Sequence, residues 1–564
     1  MAGGLKKGLA QYGDAGFSLF LRKAFIKAMG YSDEALDRPI VGITDTYSGY
    51  NACHRNVPDM IEAIKRGVML AGGLPVEFPI VSLHEAFSHP TSMFLRNLMA
   101  MAAEEMIRAQ PMDSVVLIGG CDKTVPALLM GAASADVPAI LTVTGPMITG
   151  SHKGERLGAC TDCRRLWAQH RAGKIDAAEI ETIGGRLAPG PGTCMVMGTA
   201  STMALCAEAL GMMLPGGACI PAVDADRLRH AESTGARAVA IAKEGLKPTQ
   251  IMTKPAFDNA LRVLQAVGGS TNALVHLTAI AGRLGIDIDL DAFDRLGADV
   301  PVLVDLKPTG TGYMEDLHKV GGLGPILREI AGKLDLDCLT VTGKTLRDSI
   351  PTRAPDFQQN VVRTVSDPVY PGGGLRVLRG NLAPNGALIK RAAATPRLLK
   401  HSGRAVVFDS LADLAARIDD PDLDVMAEDV LVLRSAGPKG GPGMPEAGYL
   451  PIPRKLASRG VTDMVRISDA RMSGTAFGTI VLHISPESAE GGPLAFVRDG
   501  DRIALDADAG TLTLMIDDAE LSRRRQGWKP PEPPKRGYEG LYWREVTQAE
   551  RGCDFRFLRK DGGV

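Results

Sequence analysis

One turn between a strand and a helix constrains this chain more than any other feature of its sequence. Residues 114–118 are apolar and mostly β-branched, as in a buried parallel strand, and the alanine- and leucine-rich run after residue 126 is typical of a helix. Between them lies Gly-Gly-Cys-Asp-Lys-Thr-Val-Pro. This turn follows the carboxyl end of a strand and precedes the positive end of a helix, where a thiolate or carboxylate is favoured. Cys121, Asp122 and Lys123 in succession therefore suggest metal chemistry.

The same alternation of short apolar runs and helical stretches extends through the first part of the chain. It predicts strands at 40–44 and 78–82 and helices at 58–71 and 92–109. Strands that alternate with helices in this way indicate an α/β domain built on a mainly parallel sheet.

The pattern changes after about residue 365. Short apolar runs are now separated by Gly/Pro-rich loops, which predicts a second, β-rich and barrel-like domain. A chain of 564 residues is too long for one hydrophobic core. We therefore predict two domains, residues 1–365 and 366–564, with a tail at the end of the second.

The overall composition argues against several classes of partner. The formal net charge is −1, which gives no reason to expect nucleic acid or an anionic membrane surface. No apolar stretch approaches a membrane span, and the first residues lack the apolar core of a signal peptide. Nine cysteines are too few for a disulfide framework. These features predict a cytoplasmic protein.

The cysteines fall into three groups. Three lie far apart in glycine-rich or polar loops and fit a cluster held by three thiolates with one iron left open: Cys53, Cys121 and Cys194. Cys160 and Cys163 form a CxxC motif, but without a second pair this is a weak signal for a metal or redox site. Four others lie in sequence that predicts small buried hydrophobic residues: Cys206, Cys219, Cys338 and Cys553.

Carboxylates near these loops suggest a second metal. Glu85 follows an apolar strand, Asp122 adjoins Cys121, and Glu446 lies in a loop rich in Gly and Pro. Oxygen ligands from separate loops are what Mg²⁺ requires. Taken singly, each carboxylate is more often a solvated loop charge or a helix cap.

Ser473 is another candidate for chemistry, in Arg-Met-Ser-Gly-Thr. It has no Gly-x-Ser-x-Gly elbow and no evident His/Asp pair of a hydrolase triad. The alternative is a serine that caps a helix.

The motifs together resemble one family, the dihydroxy-acid and phosphogluconate dehydratases. The similarity covers nearly the whole chain in the expected order. The stretches that carry it are the Cys121 turn, Gly268-Gly-Ser-Thr-Asn-Ala, Gly380-Asn-Leu-Ala-Pro-Asn-Gly, the Gly437–Glu446 loop and Asp469-Ala-Arg-Met-Ser-Gly-Thr.

Three further stretches resemble the sugar-acid (aldonate) branch of this family, which includes L-arabinonate and D-xylonate dehydratases. These are residues 82–93, residues 192–203 and the tail from residue 537. Glu85 stands where the amino-acid biosynthetic branch carries an aspartate.

The resemblance implies site residues and cofactors. Cys53, Cys121 and Cys194 would bind a [2Fe-2S] cluster, and the CxxC cysteines do not fall on these positions. Four residues would surround Mg²⁺, with a carboxylated Lys123 amine as a way for that residue to act as a ligand: Glu85, Asp122, Lys123 and Glu446. Ser473 would be the base that removes the C2 proton, oriented by Thr475.

The implied reaction is loss of water from C2–C3 of a sugar acid, which gives a 2-keto-3-deoxy acid. The site would lie at the domain interface, since Ser473 and the cysteines belong to different domains. His84, His89 and Thr91 are weaker candidates for contacts with sugar hydroxyls. The resemblance also implies a homodimer or homotetramer. Two alternatives stay open: a dihydroxy-acid dehydratase of branched-chain amino-acid synthesis, and a non-catalytic iron–sulfur sensor.

Overall fold

The computed structural model describes residues 3–353 and 356–560. Its N-terminal region contains six strands: β1 Ile40–Asp45, β2 Leu74–Pro79, β3 Ser114–Gly119, β4 Ala139–Val143, β5 Gly150–His152 and β6 Glu155–Leu157. The first four form one sheet in the order β2-β1-β3-β4, with every pair parallel. The predicted α/β architecture is therefore confirmed.

A closed barrel forms the C-terminal region. Its eight strands are β7 Leu375–Gly380, β8 Ala383–Lys390, β9 Lys400–Phe408, β10 Val430–Leu433, β11 Arg466–Ser468, β12 Ile480–Ser485, β13 Arg502–Asp506 and β14 Thr511–Leu514. They close in the order β10-β11-β12-β8-β7-β14-β13-β9. The β-rich, barrel-like prediction is confirmed.

Nineteen α-helices occur within the described residues, most of them before the first barrel strand in the chain. Their bounds are α1 Ala15–Ala28, α2 Asp33–Leu36, α3 Val57–Leu70, α4 Ser92–Ala109, α5 Thr124–Ala135, α6 Thr161–Arg171, α7 Ala177–Gly184, α8 Thr199–Ala209, α9 Ala225–Glu244, α10 Pro248–Ile251, α11 Lys254–Ala266, α12 Thr271–Arg283, α13 Leu290–Gly297, α14 Met314–Lys319, α15 Leu323–Glu329, α16 Leu411–Arg417, α17 Arg454–Ala457, α18 Asp518–Arg525 and α19 Gly537–Glu545.

The strand order places a crevice at the carboxyl edge of the sheet. The chain passes from β1 to β2 on one side and reaches β3 on the other, so the loops after β1 and β3 diverge. Such switch points are where parallel α/β sheets bind ligands. Cys53 follows β1 and Cys121 follows β3, and the fold therefore brings these cysteines to the crevice.

The C-terminal tail packs against the N-terminal region. The Arg96 guanidinium in α4 donates hydrogen bonds to the carbonyl oxygens of Gly552 and Cys553, each at 2.9 Å. Arg283 in α12 forms an ion pair with Asp554 at 2.5 Å, and both side chains are fully buried. Truncating either arginine would leave a buried charge or carbonyl without its partner.

The strand predicted at 78–82 is displaced: β2 begins at Leu74 and its pairing with β1 ends at Pro79. Pro75 and Pro79 are tolerated because β2 is an edge strand of this sheet. None of the helices in the described part of the chain has the length and apolar character needed to cross a membrane. The cytoplasmic location and the oligomeric state stay predictions.

Candidate active site

Two of the predicted cluster cysteines meet at the crevice. The ligand atoms of Cys53, Cys121 and His84 lie within 4.8 Å of one another. The pKa of the Cys53 thiol is raised well above its ordinary value by its hydrogen bond with Cys121, by burial, and by the negative charge that Cys194 would carry. Several thiolates are therefore unfavourable together in this pocket unless a cationic group compensates their charge.

The Cys121 turn is held by a histidine that the sequence did not single out. His54 Nε2 accepts a hydrogen bond from the Cys121 amide at 3.1 Å, so its Nδ1 carries the proton and donates to the Thr46 carbonyl at 2.8 Å. Burial lowers the pKa of His54 to about 4, which agrees with a neutral ring. Its position next to Cys53 is the only sequence signal that could have indicated this role.

The third predicted ligand, Cys194, lies beside the CxxC motif. The Sγ atoms of Cys194 and Cys160 are 3.5 Å apart. The CxxC cysteines were a weak signal in the sequence, yet the fold brings Cys160 into direct contact with a predicted cluster ligand.

The predicted magnesium carboxylates also converge. Carboxylate oxygens of Glu85, Asp122 and Glu446 lie within 4.8 Å of one another. Lys123 is fully buried, forms an ion pair with Asp122, and places its Nζ 4.0 Å from Glu85. All four predicted residues therefore meet at one point between the two regions of the chain.

A buried arginine joins these carboxylates, and sequence reasoning did not identify it. Arg471 donates to Glu446 Oε1 at 2.5 Å, to Glu85 Oε2 at 2.9 Å and to the Thr91 hydroxyl at 2.7 Å. Burial opposes ionisation of Glu85, but Arg471 and Lys123 outweigh it and hold its pKa well below the usual range. At Glu446 burial prevails and raises the pKa.

Ser473 and Thr475 form the predicted pair. Their hydroxyl oxygens are 2.8 Å apart, and the Thr475 amide donates to Ser473 Oγ at 3.4 Å. On the other side, the Thr475 carbonyl accepts from the Thr161 hydroxyl at 2.8 Å, next to Cys160. The pair is thus tied to the residue next to Cys160 and lies two residues after Arg471 in the chain.

The N-termini of α8 and α12 hold the serine loop. The Asn272 amide donates to the Met472 carbonyl at 3.0 Å, and the Gly474 amide donates to the Thr199 hydroxyl at 3.4 Å. A side chain at Gly474 would meet the Ser270 side chain at 2.5 Å, so only glycine allows this approach. This is the structural role of the Gly-Gly-Ser-Thr-Asn-Ala motif.

Lys390, at the end of β8, supports the same loop. Its side chain is buried, and Nζ donates to the Gly474 carbonyl at 3.3 Å. Burial lowers the pKa of Lys390 to about 7. The amine therefore loses its proton around pH 7 in the folded protein, whereas in the unfolded chain it stays protonated to about pH 10.

Replacing Lys390 with methionine should change how stability depends on pH. Between about pH 7 and pH 10.5 the unfolded lysine binds more protons than the folded one, so wild-type stability gains up to about 1.4 kcal/mol per pH unit from this group. The variant lacks that gain, and its melting temperature relative to wild type should fall between pH 7 and pH 10. For an exposed control, Lys400→Met, the difference in melting temperature from wild type should stay constant over the same pH range. Parallel curves of melting temperature against pH for Lys390→Met and wild type would contradict the lowered pKa of Lys390.

The three weaker candidates for sugar contacts have different surroundings in the structure. Thr91 donates to Glu85 at 2.6 Å and accepts from Arg471, so it orients the carboxylate cluster. His84 lies with the cysteines, and its ring also accepts from the Ala86 amide at 3.2 Å. His89 is exposed.

Comparison with known proteins identifies the family. Residues 38–349 match the dihydroxy-acid/6-phosphogluconate dehydratase N-terminal family, and residues 360–553 match the corresponding C-terminal family. The chain belongs to the dihydroxy-acid/6-phosphogluconate dehydratase family. This dehydratase is 49% identical to the L-arabonate dehydratase of Azospirillum brasilense, over 96% of this chain and 94% of the relative.

Two further relatives of this dehydratase differ in their named substrates. The 6-deoxy-6-sulfo-D-gluconate dehydratase of Pseudomonas putida is 47% identical over 94% of this chain and 92% of the relative. The dihydroxy-acid dehydratase of Acetivibrio thermocellus is 40% identical over 94% of this chain and 96% of the relative. The recognition made from the motifs, including the sugar-acid branch, is confirmed.

Proposed function

We propose that this dehydratase removes water from C2–C3 of a sugar acid, a pentonate such as L-arabinonate or D-xylonate, to give its 2-keto-3-deoxy acid. The observation that carries the proposal is the Ser473–Thr475 pair, which follows an arginine of the carboxylate cluster and is hydrogen-bonded through Thr475 to Thr161, the residue next to Cys160. Arg471, two residues before Ser473, contacts Glu85 and Glu446. The sugar-acid branch supports an aldonate as the substrate.

Ser473 acts as the base that removes the C2 proton. A serine hydroxyl is too weakly acidic to do so unaided, and its deprotonated form needs donors and nearby positive charge. The Thr475 hydroxyl and amide are both placed to donate to Ser473 Oγ, at 2.8 and 3.4 Å. These contacts favour the charged oxygen and aim it in one direction.

The donor sets fit two different cofactors. Glu85, Asp122 and Glu446, with Lys123 beside them, offer the oxygen-rich surroundings that Mg²⁺ requires. Cys53, Cys121 and Cys194 offer thiols, the first two of them buried, whose charge needs compensation, which suits a [2Fe-2S] cluster. When bound, the two groups would supply the Lewis acidity that stabilises enolate-like charge on the substrate and assists departure of the 3-hydroxyl.

The domain division at residue 365 is part of this proposal. It assigns the thiols and three of the magnesium residues to the first domain, and Glu446 and Ser473 to the second. Substrate would bind where the two meet, which is a common place for ligand sites.

A panel assay tests the function. Full-length protein, purified anaerobically and supplied with Mg²⁺, is offered pentonates, hexonates, 6-deoxy-6-sulfogluconate and 2,3-dihydroxyisovalerate, and 2-keto acid formation is measured. We expect the highest kcat/KM with a pentonate.

Two results would overturn the proposal. Exclusive turnover of 2,3-dihydroxyisovalerate would assign the protein to branched-chain amino-acid synthesis. Protein with a full cluster and Mg²⁺ that turned over none of these acids would favour the non-catalytic sensor.

A further inference from the structure

The CxxC motif lies beside the proposed cluster pocket, where its first cysteine touches Cys194. Cys160 Sγ lies 3.5 Å from Cys194 Sγ, and Cys163 follows Cys160 by three positions, a spacing at which side chains of one helical turn are neighbours. Cys160 caps the first turn of α6, and Cys163 lies within that turn. Cys160 is therefore the central sulfur, with a different partner on each side.

We propose that Cys160 and Cys163 form a resolving dithiol that returns oxidised Cys194 to its thiol form. The sulfur contacts alone support the exchange chemistry. Its value to the protein rests on the proposed function, in which Cys194 binds the cluster. A cysteine freed by loss of the cluster is exposed to oxidants and cannot accept new iron once it is oxidised.

The chemistry balances with a peroxide as oxidant. Hydrogen peroxide converts the Cys194 thiol to a sulfenic acid and releases one water. The Cys160 thiolate then attacks the Cys194 sulfur, which forms the Cys160–Cys194 disulfide and releases a second water after proton transfer. Because the two sulfurs are already 3.5 Å apart, a small shift brings them to the bonded distance of about 2.05 Å.

The second step transfers the disulfide. The Cys163 thiolate attacks Cys160 Sγ, so that a Cys160–Cys163 bond forms and Cys194 leaves as a thiolate. The sum of both steps is two thiols and one peroxide giving one disulfide and two waters. Cys194 is then free to bind iron again.

The position of Cys163 allows a small thiol to reduce the Cys160–Cys163 disulfide. Cys163 lines a cavity of about 480 Å³ between α6 and the barrel loops, together with Trp167, Tyr449 and Phe477. Among the described residues, neither Cys160 nor Cys194 lines it. A small thiol reductant can therefore approach the disulfide from the Cys163 side, away from Cys194, and become oxidised in exchange.

Peptide mapping tests the proposal directly. Full-length protein is freed of its cluster under reducing conditions, desalted, treated with one equivalent of hydrogen peroxide, alkylated and digested with trypsin. Cleavage after Arg156 and Arg164 releases both CxxC cysteines in one peptide, and Cys194 falls in the peptide 187–227. We expect the first peptide to carry no alkyl group and to be about 2 Da lighter than its free dithiol form, with Cys194 alkylated.

Variants separate the two steps. Cys163→Ser should accumulate a cross-link between the two peptides. Cys160→Ser should leave Cys194 as a sulfenic acid, which a second equivalent of peroxide should convert to the sulfinic acid. Cys206→Ser, which changes a buried cysteine of the same 187–227 peptide, should behave like wild type. The wild-type map alone overturns the proposal if Cys194 is over-oxidised while both CxxC cysteines are alkylated, or if the cross-link persists unresolved. These readouts do not depend on turnover, so they are independent of the panel assay.

Discussion

Replacing Ser473 with alanine should lower kcat by about 10²–10⁴-fold, the usual contribution of a positioned general base. The variant should keep its cluster absorbance and melting temperature, because among the described residues Ser473 Oγ is hydrogen-bonded only to the Thr475 hydroxyl and amide. The measurement is the initial rate on the preferred acid from the panel, with cluster content determined on the same sample.

Two companion variants make this result specific. Thr475→Val keeps the base but removes its hydroxyl partner, so it should cost less than Ser473→Ala and shift the pH–rate profile to higher pH. Ser458→Ala changes an exposed serine of the same domain and should have no effect. A Ser473→Ala protein with full activity would exclude this serine as the base.

Replacing Arg471 with methionine should lower the melting temperature and increase its response to Mg²⁺. The arginine side chain is 2% exposed and neutralises both Glu85 and Glu446, so its loss leaves two carboxylates facing each other. Removing one partner of a buried ion pair costs about 3–5 kcal/mol, and the melting temperature should fall. Mg²⁺ should then raise the melting temperature of the variant more than that of wild type, because the cation replaces the missing positive charge.

Arg466→Met provides the matched control. Arg466 is also buried and paired at 2.6 Å, but with Asp463 rather than with the carboxylate cluster. This variant should be destabilised without any added response to Mg²⁺. An equal Mg²⁺ response in both variants, or none in Arg471→Met, would argue against a cation site at Glu85, Asp122 and Glu446.

Local sequence was enough to predict the main elements of the fold. The helix predicted at 92–109 has the bounds of α4, and the strand before Cys121 lies at β3, because apolar periodicity and turn residues are local signals. β2 was displaced because Pro75, Glu77 and Pro79 are atypical of a strand and are accepted here only at an edge. Edge position depends on strand order, which no short window of sequence contains.

Some residues of the candidate site could likewise be predicted from local sequence, and others could not. Cys121, Asp122 and Lys123 were found because they share one turn. Glu85 was found because it follows an apolar strand, and Glu446 because it lies in a loop rich in Gly and Pro. Arg471, Lys390 and the contact of Cys160 with Cys194 were not found. Each depends on a pairing across distant segments, such as Arg471 with Glu85, which are 386 positions apart. Periodicity and spacing carry no information about such pairs.

The tail contacts also determine the order in which this protein can fold during synthesis. Arg96 and Gly552 are 456 positions apart, so α4 emerges long before the carbonyls that its buried guanidinium requires. The early part of the chain can form its sheet and helices, but the loop that brings Gly552 back to α4 closes late and slowly. A nascent chain therefore carries an arginine that lacks its two tail carbonyls, and a helix face that the tail does not yet cover, until residue 553 has been made.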